Sequence, residues 1–290
     1  YKSTKHNIFD MGISNFAWHK IKGIESSGDS LGDVLTIGVQ RDYRIFKNNK
    51  NYLSPITNII KSLGTTNKVD TLDVSNYQGA NIIANLSEPL NKSIKQYNTV
   101  IDCGVIEHVF NIKQCIYNYI SLVSKGGNLM VETTCNNFAG HGFYQFSPEF
   151  FFNVLSFNNL FKQINCYLIK YPIGGASIHP KAWIALDPKQ IGNRVMLKNS
   201  DPIGILMIAK RSNLPLCSYE DFDIIQSDYV TEHKKIKRQR SDNNLSSRRK
   251  LFKKLPPFVQ FLYSNFTLNQ IHNINNKSFF KPYKWKIAGD

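Results

Sequence analysis

The sequence predicts an α/β fold, with a mostly parallel sheet of seven strands, an antiparallel edge strand, helices on both faces and a basic C-terminal extension. Three observations carry this. Short apolar, β-branched runs alternate with stretches whose apolar residues recur at helical spacing. The stretch from Tyr97 to Glu132 holds a complete strand, helix and strand, the unit from which parallel sheets are built. The last two apolar runs, Phe161 to Ile169 and Ile203 to Ala209, have no clear helix between them, which is how an antiparallel edge joins such a sheet.

Residues 1–30 hold scattered aromatics (Phe9, Phe16, Trp18) and the loop-like ESSGDSLGD, a lid or packing segment ahead of the sheet. Val34 to Ile37 is the first strand and ends on Gly38. Ser54-Pro55 offers an N-cap and a first-turn proline; Ile56, Ile59, Ile60 and Leu63 make one apolar helical face, and Gly64 sits where that helix should stop. Val69 to Leu72 is the second strand, ending on Asp73, and Asn81 to Leu86 the third, with Asn85 near its end.

In the central unit Thr99 to Ile101 runs out on Asp102. Ile112, Ile116, Ile120 and Val123 make the helix, Gly126-Gly127 closes it, and Asn128 to Val131 starts the next strand. Gly140 to Phe146 is then a loop dense in glycine and aromatics. Ser147-Pro148-Glu149 reads as cap, first turn and acidic start of a helix through Leu155. A long loop from Tyr171 to Arg194 separates the last two strands, and loops of that length inside a domain usually carry function. The resulting organisation is 1–30, a main domain over 31–211, and an extension over 212–290.

At 290 residues with 42% apolar content the chain can bury a sizeable core. Five cysteines without a CxxC pair or metal-ligand spacing suit a reduced, cytoplasmic chain, and no metal is expected. No window reaches the ~18 uncharged apolar residues of a membrane span, and the first residues lack an apolar signal core. The net charge of +15 is concentrated after residue 230, where 14 Lys and Arg face 3 Asp and Glu.

A parallel sheet binds ligands in the crevice beyond the carboxyl ends of its strands. Asp73 and Asp102 end successive strands there, and a carboxylate at such a tip can accept hydrogen bonds from both hydroxyls of a ribose. Together they favour a nucleoside-like ligand over mere turn capping. Gly104 lets backbone approach that ligand. A GxGxxG fingerprint is missing, which argues against a dinucleotide-dependent dehydrogenase.

The order of Asp73, Asn85, TVIDCGVIEHVFN and KGGNLMVETT resembles the class I S-adenosylmethionine-dependent methyltransferase family over roughly Leu31 to Arg211. The Glu107-His108 pair stands where many small-molecule members carry Glu-His, and NNFAGHGFYQFSPEFF is similar to a loop of bacterial members in cell-surface and secondary-metabolite pathways. The resemblance implies a Rossmann-like fold and S-adenosyl-L-methionine as cofactor, bound by Gly38, Gln40, Asp73, Asn85, Asp102, Cys103 and Gly104. It implies methyl transfer to a hydroxyl or amine of a sugar or other small metabolite, with polysaccharide biosynthesis as one setting.

Two departures stand out. The first loop, Gly38-Val39-Gln40-Arg41, keeps one glycine where the family has several, and Asn85 replaces the acid after the third strand. An amide oxygen still accepts that hydrogen bond. His141 and His108 are the expected bases, since histidine titrates near neutrality, with Glu107 orienting one of them. Tyr144, His179 and Trp183 are the expected substrate contacts. The basic tail, HKKIKRQRSDNNLSSRRKLFKK with interleaved apolar residues after it, suits a solvated charge run, nucleic-acid phosphates or the anionic inner face of a membrane. Two rivals stay open: an RNA-modifying or nucleic-acid-binding protein, and a degenerate fold serving as scaffold.

Overall fold

The computed structural model describes residues 30–38, 68–76, 79–171, 181–191, 196–227, 254–271 and 273–284, with short pieces at 19–21, 41–42, 54–55, 57, 60, 229 and 252. Eleven strands are formed among them. Nine make one sheet: β1 (Val34–Ile37), β4 (Val69–Asp73), β5 (Ile82–Ile83), β6 (Tyr97–Cys103), β7 (Val123–Asn136), β8 (Phe161–Lys170), β9 (Ala182–Ala185), β10 (Ile203–Arg211) and β11 (Phe280–Tyr283). Their spatial order is β11-β9-β8-β10-β7-β6-β1-β4-β5. From β5 to β7 every pairing is parallel, and from β7 outward every pairing is antiparallel.

The expected α/β class, parallel half and antiparallel edge are therefore present. The sheet has nine strands where seven were expected, because two came from segments read as loop and extension. β9 and a single helical turn, α3 (Pro188–Ile191), lie in the long 171–194 loop. β11 comes from the extension and pairs with β9, so a boundary at 211 cuts through one sheet. The smaller β2 (Arg41–Asp42) and β3 (Ser54–Pro55) pair with each other. Ser54-Pro55 is thus a strand and not a helix start, in line with the extended bias of a residue before proline; Thr57 and Ile60 just beyond it are helical.

Alternation along the strands sorts side chains to two faces. Leu35, Ile37, Val100, Leu129, Val131, Leu168, Ile205 and Met207 point to one core. That core also takes helices α1 (Ile112–Leu122) and α2 (Pro148–Ser156). Val34, Ile101, Met130, Ile169 and Leu206 point the other way, against Ile21 and Ile60. Asn111 caps α1 by accepting from the Gln114 N–H at 3.3 Å, and Ser147 caps α2 by accepting from the Phe150 N–H at 3.3 Å.

Two expectations change in extent. The third strand is two residues long, because Asn85 Oδ1 accepts from the Ser87 N–H and turns the chain away. Gly126-Gly127 do not stop α1, which ends at Leu122; they lie inside β7, where the register with β6 shifts between Tyr97 and Thr99. A Cβ on Gly127 would stand 2.7 Å from the Asn98 carbonyl oxygen, so glycine here serves strand contact.

Candidate active site

β1, β4 and β6 lie side by side and in parallel, so their carboxyl ends share one edge. Ile37 pairs with both Leu72 and Asp102, which places Asp73 and Asp102 on that edge with β1 between them. Gly38 (φ 74°) and Gly104 (φ 96°) turn the chain as it leaves β1 and β6, in a region that glycine adopts freely.

The two acids do different work. Asp102 is fully buried: Oδ1 accepts from the Val105 N–H at 2.9 Å, and Oδ2 from the Ile106 N–H at 3.1 Å and the Tyr119 hydroxyl at 3.0 Å. Burial pushes its carboxyl up to about 8; the negative charge of Glu107 acts in the same direction, and the donors pull it back. It holds its own turn and offers nothing to a ligand, so a direct cofactor contact by the Asp102 side chain is corrected to a supporting one. Asp73 is half-buried, and Oδ1 accepts from the Ser75 N–H at 3.3 Å. Among the described residues nothing donates to its Oδ2. Asn85 is exposed and engaged with Ser87 and, at 3.4 Å, Glu88.

Immediately after Gly104 the chain makes a 3-10 turn, Ile106–His108, which presents Glu107 inward and His108 outward. Glu107 is fully buried. Its Oε2 accepts from the Thr133 hydroxyl of β7 at 2.7 Å, and its carbonyl oxygen accepts from the Phe143 N–H at 2.7 Å and the Tyr144 N–H at 3.3 Å. The glycine- and aromatic-rich loop is thereby folded over the turn. Gly142 (φ 77°) makes the contact close: a Cβ there would stand 2.8 Å from the Glu107 carbonyl oxygen.

That loop carries His141 to Glu107 Oε1, with Nε2 3.5 Å away and the ring one-fifth exposed. No hydrogen-bond donor reaches Oε1. The His108 and His141 rings stand edge to face, with centroids 5.2 Å apart. The three residues named from the sequence as catalytic candidates are therefore brought together, beside the edge that holds Asp73.

Other expected contacts lie elsewhere. Tyr144 donates its hydroxyl to the Phe110 carbonyl at 2.7 Å and packs against Phe146, so its polar end is spent on holding the loop. Trp183 sits on β9, 7% exposed in the main core, and is corrected from a substrate contact to a packing residue. Gln40 and His179 lie outside the described residues, as do most of 1–30 and of the basic run 234–254. Cys103 ends β6. A cavity of about 420 Å³ opens between α1, α2 and residues 222–226, on the helical face and away from the His–Glu cluster.

Sequence reasoning missed Thr133, which positions Glu107, and Glu132, a buried acid whose Oε1 accepts from the Tyr171 hydroxyl at 2.6 Å. Tyr171 in turn meets Phe138, and Phe138 meets the His141 ring at 6.1 Å. The one available signal was that the apolar run of β7 ends on Glu-Thr-Thr, polar residues where a parallel strand reaches the sheet's carboxyl edge.

No family model and no curated protein matches the chain. Three solved structures illustrate its likeness to known folds. A Thermotoga maritima S-adenosylmethionine-dependent methyltransferase, described as a possible histamine N-methyltransferase, is 10% identical over 68% of this chain and 90% of its own, with a TM-score of 0.41. The Burkholderia thailandensis 1,6-didemethyltoxoflavin N1-methyltransferase, with its substrate and S-adenosylhomocysteine bound, is 12% identical over 66% and 75%, at 0.38. The N-methyltransferase NodS of Bradyrhizobium japonicum, bound to S-adenosylhomocysteine, is 10% identical over 72% and 93%, at 0.39. Likeness of this degree transfers neither ligand nor activity to the chain.

Proposed function

We propose that this protein is an S-adenosyl-L-methionine-dependent methyltransferase whose acceptor is a hydroxyl or amine on a small metabolite such as a sugar, with surface polysaccharide or secondary-metabolite synthesis as its setting. The observation that carries the reading is the shared carboxyl edge: Asp73, with one carboxylate oxygen accepting nothing among the described residues, stands two strands from a buried Glu with two histidines beside it. A ribose diol matches that free oxygen, and the positive-φ turns at Gly38 and Gly104 let the backbone come close to a ligand. The residues present thus fit the cofactor.

When bound, S-adenosylmethionine supplies a methyl group on a sulfonium that is already a good leaving group. The protein's task is alignment and removal of one acceptor proton. Asp73 holds the nucleoside end in register with the edge. Glu107, His108 and His141 form the acceptor end, where the proton leaves, with His141 on the loop that closes over it. Phe146 and Phe138, both buried, pack under that loop and hold it in place.

Calorimetry with S-adenosylmethionine and S-adenosylhomocysteine tests the reading. Both should bind, and Asp73→Ala should weaken them at least tenfold without changing the thermal midpoint. Binding of neither ligand to the intact chain defeats the proposal.

The C-terminal segment supports a peripheral contact at the anionic inner face of a membrane. Helix α4 (Pro257–Ile271) follows the basic run and exposes Phe258 (70%), Phe261 (63%) and Leu262 (50%). Apolar side chains beside a run of Lys and Arg suit the headgroup boundary of an acidic bilayer better than a nucleic-acid backbone, which has no use for exposed phenylalanine outside base stacking. No helix among the described residues is long and apolar enough to cross a membrane. Salt-sensitive binding to RNA with no binding to acidic vesicles would favour the nucleic-acid rival.

A further inference from the structure

We infer that Glu107, His108 and His141 form a three-ligand site for a divalent transition-metal ion. Each offers one ligand atom, and the three atoms lie within 4.8 Å of one another. One carboxylate oxygen and two imidazole nitrogens suit Mn²⁺, Co²⁺ or Zn²⁺ better than hard, all-oxygen ions.

Three further features point to an ion. Glu107 Oε1 is a fully buried carboxylate oxygen without a donor, and it is aimed at His141 Nε2 across 3.5 Å. That separation is too long for a good hydrogen bond, yet two ligands about 2.1 Å from one ion at a tetrahedral angle stand roughly 3.4 Å apart. Two imidazoles on one ion at such bond lengths hold their ring centres about 5 Å apart, and the His108 and His141 centroids are 5.2 Å apart. His108 is exposed and closes the remaining gap by side-chain rotation.

The supporting contacts are those a metal ligand needs. Thr133 fixes the other oxygen of Glu107, and the N–H groups of Phe143 and Tyr144 fix its backbone, so the carboxylate cannot swing away to find another partner. Three protein ligands leave coordination positions open. An acceptor hydroxyl entering one of them has its O–H bond weakened: the proton leaves to bulk water and the electron pair stays on the oxygen held by the ion. With the ion in place His141 is a ligand and not the proton's destination. This role in acceptor activation rests on the methyltransferase reading; the ion site does not.

The test uses tag-free, chelator-treated full-length protein titrated with Mn²⁺ and with Zn²⁺, followed by calorimetry and, for Mn²⁺, by electron paramagnetic resonance. One ion per chain is expected for at least one of the two metals, with affinity lowered tenfold or more in Glu107→Gln, His108→Ala and His141→Ala. Because His108 is exposed, His108→Ala keeps the fold, and an unchanged thermal midpoint in that variant separates ligand loss from unfolding. Neither metal binding to the wild type, or His108→Ala binding as tightly as wild type, overturns the inference. S-adenosylhomocysteine titrated in parallel separates the two claims. Its binding without metal binding sinks the ion site alone, and metal binding without it sinks the methyltransferase reading alone.

Discussion

Asp102 shows how little a strand-end acid reveals until its surroundings are known. With no exposure and with the charge of Glu107 nearby, its carboxyl is pushed up to about 8. The unfolded chain releases that proton near the ordinary carboxylate value, so between about pH 4 and pH 8 the folded form carries more protons. Its contribution to stability is complete below about 4 and is lost as pH rises through about 8. The unfolding free energy of wild type minus that of Asp102→Asn, from urea titrations at a series of pH values, should fall across this window by up to several kcal/mol. A difference that is flat, or that rises with pH, refutes the assignment. The sequence placed Asp102 correctly at the carboxyl edge of the sheet, but only the turn packed around it shows that it serves the turn. The sequence named Glu107, His108 and His141 as one catalytic group, but that His141, 34 positions on, is the histidine that meets the Glu107 carboxylate depends on how a loop folds.

At the scale of elements, periodicity located the central strands and the Ser147 cap, but misread Ser54-Pro55, β9 and the glycines. Val34–Ile37 and the Ser147-Pro148 helix start form as read, since local spacing and capping chemistry act within a few residues. Gly126-Gly127 reads as a helix stop and is instead part of β7, because the reason for glycine there is the Asn98 carbonyl on the neighbouring strand. Gly127→Ala should therefore destabilise the protein by more than the ~1 kcal/mol of conformational preference alone, since the strands must part to admit a methyl group. Denaturant midpoints measure this; a loss at or below that figure would return the glycine to a merely local role. By contrast Ser147→Ala should cost about 1 kcal/mol through the lost cap of α2, with its Pro at the first turn unaffected.

Across the whole molecule the charge distribution misled the division of the chain. The basic composition after 230 reads as an appendage, yet Ile274, Phe279 and Phe280 are buried in the main core, and β11 completes the sheet beyond β9. Phe280→Ala should lower the unfolding free energy by about 3–5 kcal/mol, the usual cost of emptying a buried phenylalanine site. The loss should fall on the same cooperative transition that near-ultraviolet signals from the sheet report. An extension that folds by itself would leave that transition unmoved.

Alternating polarity and helical spacing were enough to establish an α/β sheet, its parallel half and the carboxyl edge that Asp73 and Asp102 share, because these follow from which side chains avoid water within each short segment. Strand order on the antiparallel side, the return of the C-terminus and the convergence of Glu107, His108 and His141 needed the folded chain. They arise from contacts between segments far apart in sequence, whose energies depend on shape and distance that no local pattern encodes.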